Sequence, residues 1–180
     1  MRSFILLLLS LLSFSLLAQV ENQKSNISSA YLLGPGDELS IIVYGESDLS
    51  SHVTINDSGI ISYPFLGEIT VINKSTDDID AEITAGLKKG YLIDPKVSVH
   101  VSKYRPFYIN GQVSNPNSYP YRPGLTVRQA ISIAGGFTER ASRSKIFLIP
   151  EGKSSSAAVK IDLDKRIYPG DTITIRESFF

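Results

Sequence analysis

Leu33-Gly34-Pro35-Gly36-Asp37-Glu38-Leu39-Ser40-Ile41 and Ile167-Tyr168-Pro169-Gly170-Asp171-Thr172-Ile173-Thr174-Ile175 carry one phrase twice, once near each end of the chain. In each, proline fixes φ at the first central position of a turn, and glycine supplies positive φ at the second. The residues that follow alternate apolar and polar, the period of a half-buried strand. Two turn-then-strand units predict two small sheet modules. Pro35, Gly36 and Asp37, like Pro169, Gly170 and Asp171, are therefore read as structural turn residues. Asp37 and Asp171 leave their turns at equivalent places, where a short carboxylate bonds local backbone amides. That reading outweighs a catalytic carboxylate pair.

Outward from the first turn, Leu39, Ile41 and Val43 form the apolar face of a strand. Val53-Thr54-Ile55 reads as a second short strand. Asn56-Asp57-Ser58-Gly59 reads as the turn of a hairpin whose partner strand is Ile60–Tyr63. Pro64-Phe65-Leu66-Gly67 interrupts the pattern, and Glu68–Val71 resumes it. A helix follows, opened by Ser75 or Thr76 and by Asp77 and Asp78 at the positive end of its dipole. Ile79, Ile83 and Leu87 recur every four residues as one apolar stripe. Lys88 and Lys89 suit its last turn, and Gly90 its end. Asp94-Pro95 introduces a further strand, with Val97, Val99 and Val101 on one face and Ser98, His100 and Ser102 on the other. The boundary between modules is placed near Tyr104-Arg105-Pro106.

Inward from the second turn, Phe107–Val113 is β-prone and Asn115-Pro116-Asn117-Ser118 signals a turn. Tyr119–Arg122 reads as short and extended, and Pro123-Gly124 as another turn. Thr126 and Gln129 fit a capping box. Val127, Ala130, Ile131 and Ala134 form the buried face of the helix that it opens, and Gly135-Gly136 ends that helix. Ile146–Ile149 and Val159–Leu163 read as a hairpin around a loose loop at Glu151–Ser156. Strands on both sides of one packed helix predict a β-grasp-like α+β unit.

The remaining signals are mostly exclusions. Residues 1–18 (Arg2, then an apolar run from Phe4 to Leu17, then Ala18) read as a signal peptide, cleaved before Gln19 or retained as an anchor. Residues 19–29 are polar and read as a flexible tether. The chain has no cysteine, which removes disulfides, thiol nucleophiles and a lipidated cysteine. The 18 basic and 18 acidic residues balance, so no field favours nucleic acid. His52 and His100 are the only histidines and lack metal-ligand spacing. No catalytic residue, cofactor site or metal site is assigned. Tyr104, Arg105, Tyr108, Tyr119, Tyr121 and Arg122 cluster around the first hairpin of the second module. Two readings of them stay open: anchors for a protein partner or a glycan, or ordinary core and edge residues.

Six phrases in order resemble the bacterial outer-membrane polysaccharide export proteins. They are Tyr31–Asp37 with Val43-Tyr44-Gly45-Glu46, Asp57–Ile69, Tyr91–Val99, Tyr108–Val113, Ala134–Thr138 and Tyr168–Asp171. The resemblance covers roughly Ala30 to Glu177. It implies a polysaccharide export sequence domain at 30–104 and an SLBB β-grasp domain at 105–178. It also implies a function: a periplasmic ring or adaptor, associated with the outer membrane of a Gram-negative bacterium, that conducts capsular or exopolysaccharide chains without breaking bonds. The implied partners are further copies of the chain, an inner-membrane polysaccharide co-polymerase and the polysaccharide cargo. Without a lipidated cysteine or a C-terminal amphipathic helix, the chain resembles the short members, for which a separate outer-membrane β-barrel channel is expected. The competing expectation is a secreted β-grasp protein that binds a glycan or other ligand and transports nothing.

Overall fold

A computed structural model describes residues 31–178. The expected signal peptide (1–18) and tether (19–29) lie outside the described residues. From Leu32 onward the chain forms one unit, in which two sheet systems follow each other.

The first turn feeds β1 (Glu38–Val43), the central strand of an antiparallel sheet between β2 (Ser51–Thr54) and β5 (Val97–Lys103). Leu39, Ile41 and Val43 face inward and are buried, as the alternation predicts. The expected hairpin of Val53–Ile55 with Ile60–Tyr63 does not form. β2 pairs with β1, Leu39 opposite Val53, while β3 (Ile60–Tyr63) pairs with β4 (Gly67–Thr70). Two local causes decide this. Ile55 is engaged by the first turn: its N–H donates to the Asp37 carbonyl (2.9 Å) and its carbonyl accepts from Gly36 N–H (3.0 Å). Downstream, Leu66 N–H donates to the Pro64 carbonyl (2.8 Å) across Phe65, whose φ is +63°. That γ-turn makes the supposed interruption the reversal of the actual hairpin.

Helix α1 (Thr76–Leu87) starts at a capping box, in which Asp78 N–H donates to Ser75 Oγ and Ser75 N–H donates to Asp78 Oδ2. The Ser75 hydroxyl, which donates to Asp78 Oδ2 at 2.7 Å, and then the Ser75 N–H hold the Asp78 carboxyl below its ordinary value. Ile79, Ile83 and Leu87 are fully buried, and the helix packs on β5. Lys88 and Lys89 lie just beyond the last turn, and the glycine after them has positive φ.

The second system is a five-stranded sheet of β6 (Phe107–Gly111), β7 (Asn117–Tyr119), β8 (Ala141–Ile149), β9 (Val159–Ile161) and β10 (Thr172–Glu177). Its order is β7-β6-β10-β8-β9. The strand after the second turn, β10, is therefore central: parallel to β6 and antiparallel to β8. Asn117 and Ser118, expected in a turn, belong to β7, because Ile109 and Tyr108 of β6 pair with them. Gly111 sits at φ +82°, and a Cβ there would run into the Ile175 carbonyl of β10. Helix α2 (Val127–Ile133) opens with the Thr126–Gln129 capping box. Its buried face joins Phe107, Ile109, Ile146, Ile167, Ile173 and Ile175 in one core. The architecture is α+β in two modules.

Candidate functional site: the paired Pro-Gly-Asp turns

The two turns share one hydrogen-bond pattern. Asp37 N–H donates to the Gly34 carbonyl and Asp171 N–H to the Tyr168 carbonyl, both at 3.2 Å. Gly36 and Gly170 adopt φ +88° and +81°, as the second central position of this turn requires. Each carboxylate reaches back three residues. Gly34 N–H donates to Asp37 Oδ2 (3.0 Å), and Tyr168 N–H donates to Asp171 Oδ2 (2.8 Å). Asp37 also accepts a second backbone amide from a distant segment, Arg105 N–H at 2.9 Å. Each glycine N–H donates outward, Gly36 to Ile55 and Gly170 to Pro106.

Arg105 and Pro106 thus touch both turns. Arg105 N–H holds Asp37, and the Pro106 carbonyl holds Gly170 N–H. The Arg105 side chain adds a fork, with Nη1 on Asp37 Oδ2 at 2.7 Å. Its Nε and Nη2 meet the Glu151 carboxylate at 2.6 to 3.0 Å. Asp37 is wholly buried and the Arg105 side chain is only 13% exposed. Charge-assisted forks of this kind are short and directional, and the pair is shielded from solvent screening. The second turn has no such fork in its pattern. Burial pushes the Asp171 carboxyl above its ordinary value, the negative Glu151 adds to this, and the amides of Tyr168 and Glu151 oppose it.

Of the aromatic and arginine cluster read from sequence, the structure gathers Tyr104, Arg105 and Tyr121 here. The Tyr104 and Tyr121 rings meet edge to face at 5.5 Å. Burial raises the pKa of both phenols, and the charge of Asp37 adds to the effect on Tyr104. Tyr119 lies apart, its ring against Phe107 and its hydroxyl donating to the Asn115 carbonyl. Tyr108 and Arg122 are exposed and stand outside the group. The sequence reading missed Glu151, which it left in a loose loop. Its partner is 46 residues away, and no local pattern announces such a pair.

As chemistry, the arrangement fixes backbone: both carboxylates are buried and engaged by amides. His52 and His100 both lie opposite Ser40, on the two strands that flank β1, about 10 Å apart by strand spacing. Among the described residues no three histidine, aspartate or glutamate side chains form a group that could hold a metal ion.

Comparison with known proteins fits this division. Residues 25–102 match the family described as Polysaccharide biosynthesis/export protein, and residues 106–157 match the SLBB domain. The chain is 38% identical over 103 residues to the "Exopolysaccharide production protein ExoF" of Rhizobium meliloti (strain 1021), covering 56% of this chain and 24% of that protein. It is 25% identical over 173 residues to the "EPS I polysaccharide export outer membrane protein EpsA" of Ralstonia nicotianae (strain ATCC BAA-1114 / GMI1000), covering 81% of this chain and 45% of that protein. It is 26% identical over 91 residues to the "Polysialic acid transport protein KpsD" of Escherichia coli, covering 49% of this chain and 16% of that protein. The chain spans less than half the length of each of these relatives. Two family matches in tandem, meeting where Arg105 joins the two turns, make this chain a member of the polysaccharide export protein family.

Proposed function

We propose that the chain is a structural, non-enzymatic component of an envelope machine that exports capsular polysaccharide or exopolysaccharide. The observation that carries this reading is the pairing of an export domain with an SLBB domain in one unit, tied through Asp37, Arg105 and Glu151. A conduit part must transmit position between modules, and Arg105, held by the buried Asp37 on one side and by the half-exposed Glu151 on the other, supplies that stiffness. The second sheet, with a parallel central pair and one packed helix, supports the β-grasp reading. In this reading residues 1–18 direct export, and the protein works in the periplasm against the outer membrane. It assembles as a ring through its edge strands β2, β5, β7 and β9, whose outer backbone groups are available to pair. Its other partners are an inner-membrane co-polymerase, a separate outer-membrane β-barrel channel and the polymer itself.

The test is a clean gene deletion, with cell-surface and cell-retained polysaccharide quantified separately. Loss of surface polymer, restored by the intact gene, is the expected outcome. Unchanged pools under producing conditions overturn the export role and favour a secreted glycan-binding protein.

A further inference from the structure

A cavity of about 270 Å³ opens on the second module, between α2, the glycine phrase after it and β8. Ile131 and Leu163 line it with apolar surface, Phe137 adds an aromatic ring, and Arg128, Ser132 and Arg143 supply polar groups. None of these residues belongs to the junction of the two turns.

The geometry is suited to one kind of ligand. Phe137 is held by a β-bridge to Val113. The exposed Arg143 guanidinium lies over its ring, 5.9 Å from the centroid, which brings both groups to one side of the cavity. Arg128 already carries a carboxylate, with Nη2 on Asp164 Oδ1 at 2.8 Å and Nε at 3.3 Å. That pair is open to solvent, 58% and 82% exposed, and an exposed pair of this kind is held weakly. A second carboxylate can therefore replace Asp164 without breaking a buried interaction. Ser132 Oγ donates to the Arg128 carbonyl at 3.0 Å, which leaves its lone pairs to accept a hydroxyl. An apolar wall, an aromatic face, a hydroxyl acceptor and two guanidinium forks make a small pocket of the common mixed type.

We propose that this cavity binds a carboxylate-bearing sugar residue, its carboxylate on Arg143 and Arg128 and its ring face against Phe137. The identification of that residue as part of the transported polymer rests on the export reading above. The site itself does not.

The test is isothermal titration of the purified protein with tetragalacturonate and with its methyl ester, which keeps the rings and removes the charge. The acid is expected to bind and the ester to bind at least about tenfold more weakly. Arg143→Gln and Arg128→Gln are each expected to weaken the acid about tenfold or more, with Arg143→Lys between, because lysine keeps the charge and loses the fork. Unchanged circular dichroism controls for folding. Arg176→Gln is the internal control, since Arg176 also stacks on an aromatic ring, Phe147, and lies outside the cavity. Equal binding of acid and ester, no binding of either, or an equal loss in Arg176→Gln overturns the proposal. If deletion abolishes surface polymer while the acid fails to bind, this site is wrong and the export role stands. If the acid binds as described and deletion changes nothing, the reverse holds.

Discussion

The two Pro-Gly-Asp turns are the same object in two electrostatic settings. Backbone geometry, the reach-back bond and the outward glycine bond all repeat. Only the first carboxylate has a guanidinium on it. The second is buried beside Glu151, an acid whose carboxylate accepts from Arg105. The turn and its reach-back bond depend on residues within four positions of one another, while the outward glycine bonds end on distant segments at Ile55 and Pro106. The differing part depends on pairs 68 and 46 residues apart. A short repeat thus fixes its local shape, and the surrounding chain decides its charge balance.

The strongest way to break this comparison is to remove the guanidinium. Arg105→Met takes the guanidinium from the fully buried Asp37, which keeps the amides of Gly34 and Arg105, and releases Glu151. The expected loss is about 3 to 5 kcal/mol, as for other buried pairs cut on one side, read by urea unfolding. Adding Asp37→Asn to Arg105→Met removes the buried carboxylate that lost its guanidinium and is expected to recover part of that loss. A loss below about 1 kcal/mol in the single variant would mean the pair behaves like a surface ion pair, and the two turns would then be energetically alike.

The glycines give a smaller contrast. Alanine at Gly36 or Gly170 must adopt positive φ, a strain of about 1 kcal/mol. At Gly36 the new methyl meets only the Arg105 Cβ, at 3.5 Å, an ordinary contact. At Gly170 it lands on the Glu151 side chain, which must move and weaken its grip on Arg105. Gly170→Ala is expected to cost about twice as much as Gly36→Ala. Equal thermal shifts would show that Glu151 yields freely.

What was legible in the sequence follows the same line. The turn phrases, the Ile79–Ile83–Leu87 stripe, both capping positions and the alternation of Leu39, Ile41 and Val43 are set by neighbours within one or two turns of chain. The structure shows each of them. Strand pairing was legible only in part: Ile146–Leu148 pairs with Val159–Ile161 as expected, but other partners were hidden. Val53–Ile55 and Ile60–Tyr63 look like a hairpin because a good turn joins them. Yet Ile55 is held by a turn 18 residues upstream, and Phe65 carries the tighter reversal. The central place of β10 was hidden for the same reason, since a parallel partner 64 residues away leaves no local mark. At the junction, Asp37, Asp171 and Arg105 were all named from sequence. Glu151, which closes the fork, was not.

The finest test concerns Asp171, whose carboxyl is raised by burial. A group that holds its proton more tightly when folded stabilises the protein in acid. That contribution is complete below the unfolded value and is lost as pH rises through the folded one. Asp171→Asn abolishes this titration. Asparagine keeps one acceptor for Tyr168 N–H, loses the anionic oxygen that the Glu151 amide favours, and removes a buried charge. At neutral pH these terms oppose each other, and the net change is expected to stay within about 1 kcal/mol. The informative quantity is the stability of wild type minus that of Asp171→Asn, measured by urea unfolding across the acid range. It should fall as pH rises through and just above the ordinary carboxylate range, then level off. A rise over that interval would mean the amides of Tyr168 and Glu151 outweigh burial. The second turn would then favour its charge even without a guanidinium, and the contrast between the turns would lie in Arg105's link to Glu151 rather than in the state of the two aspartates.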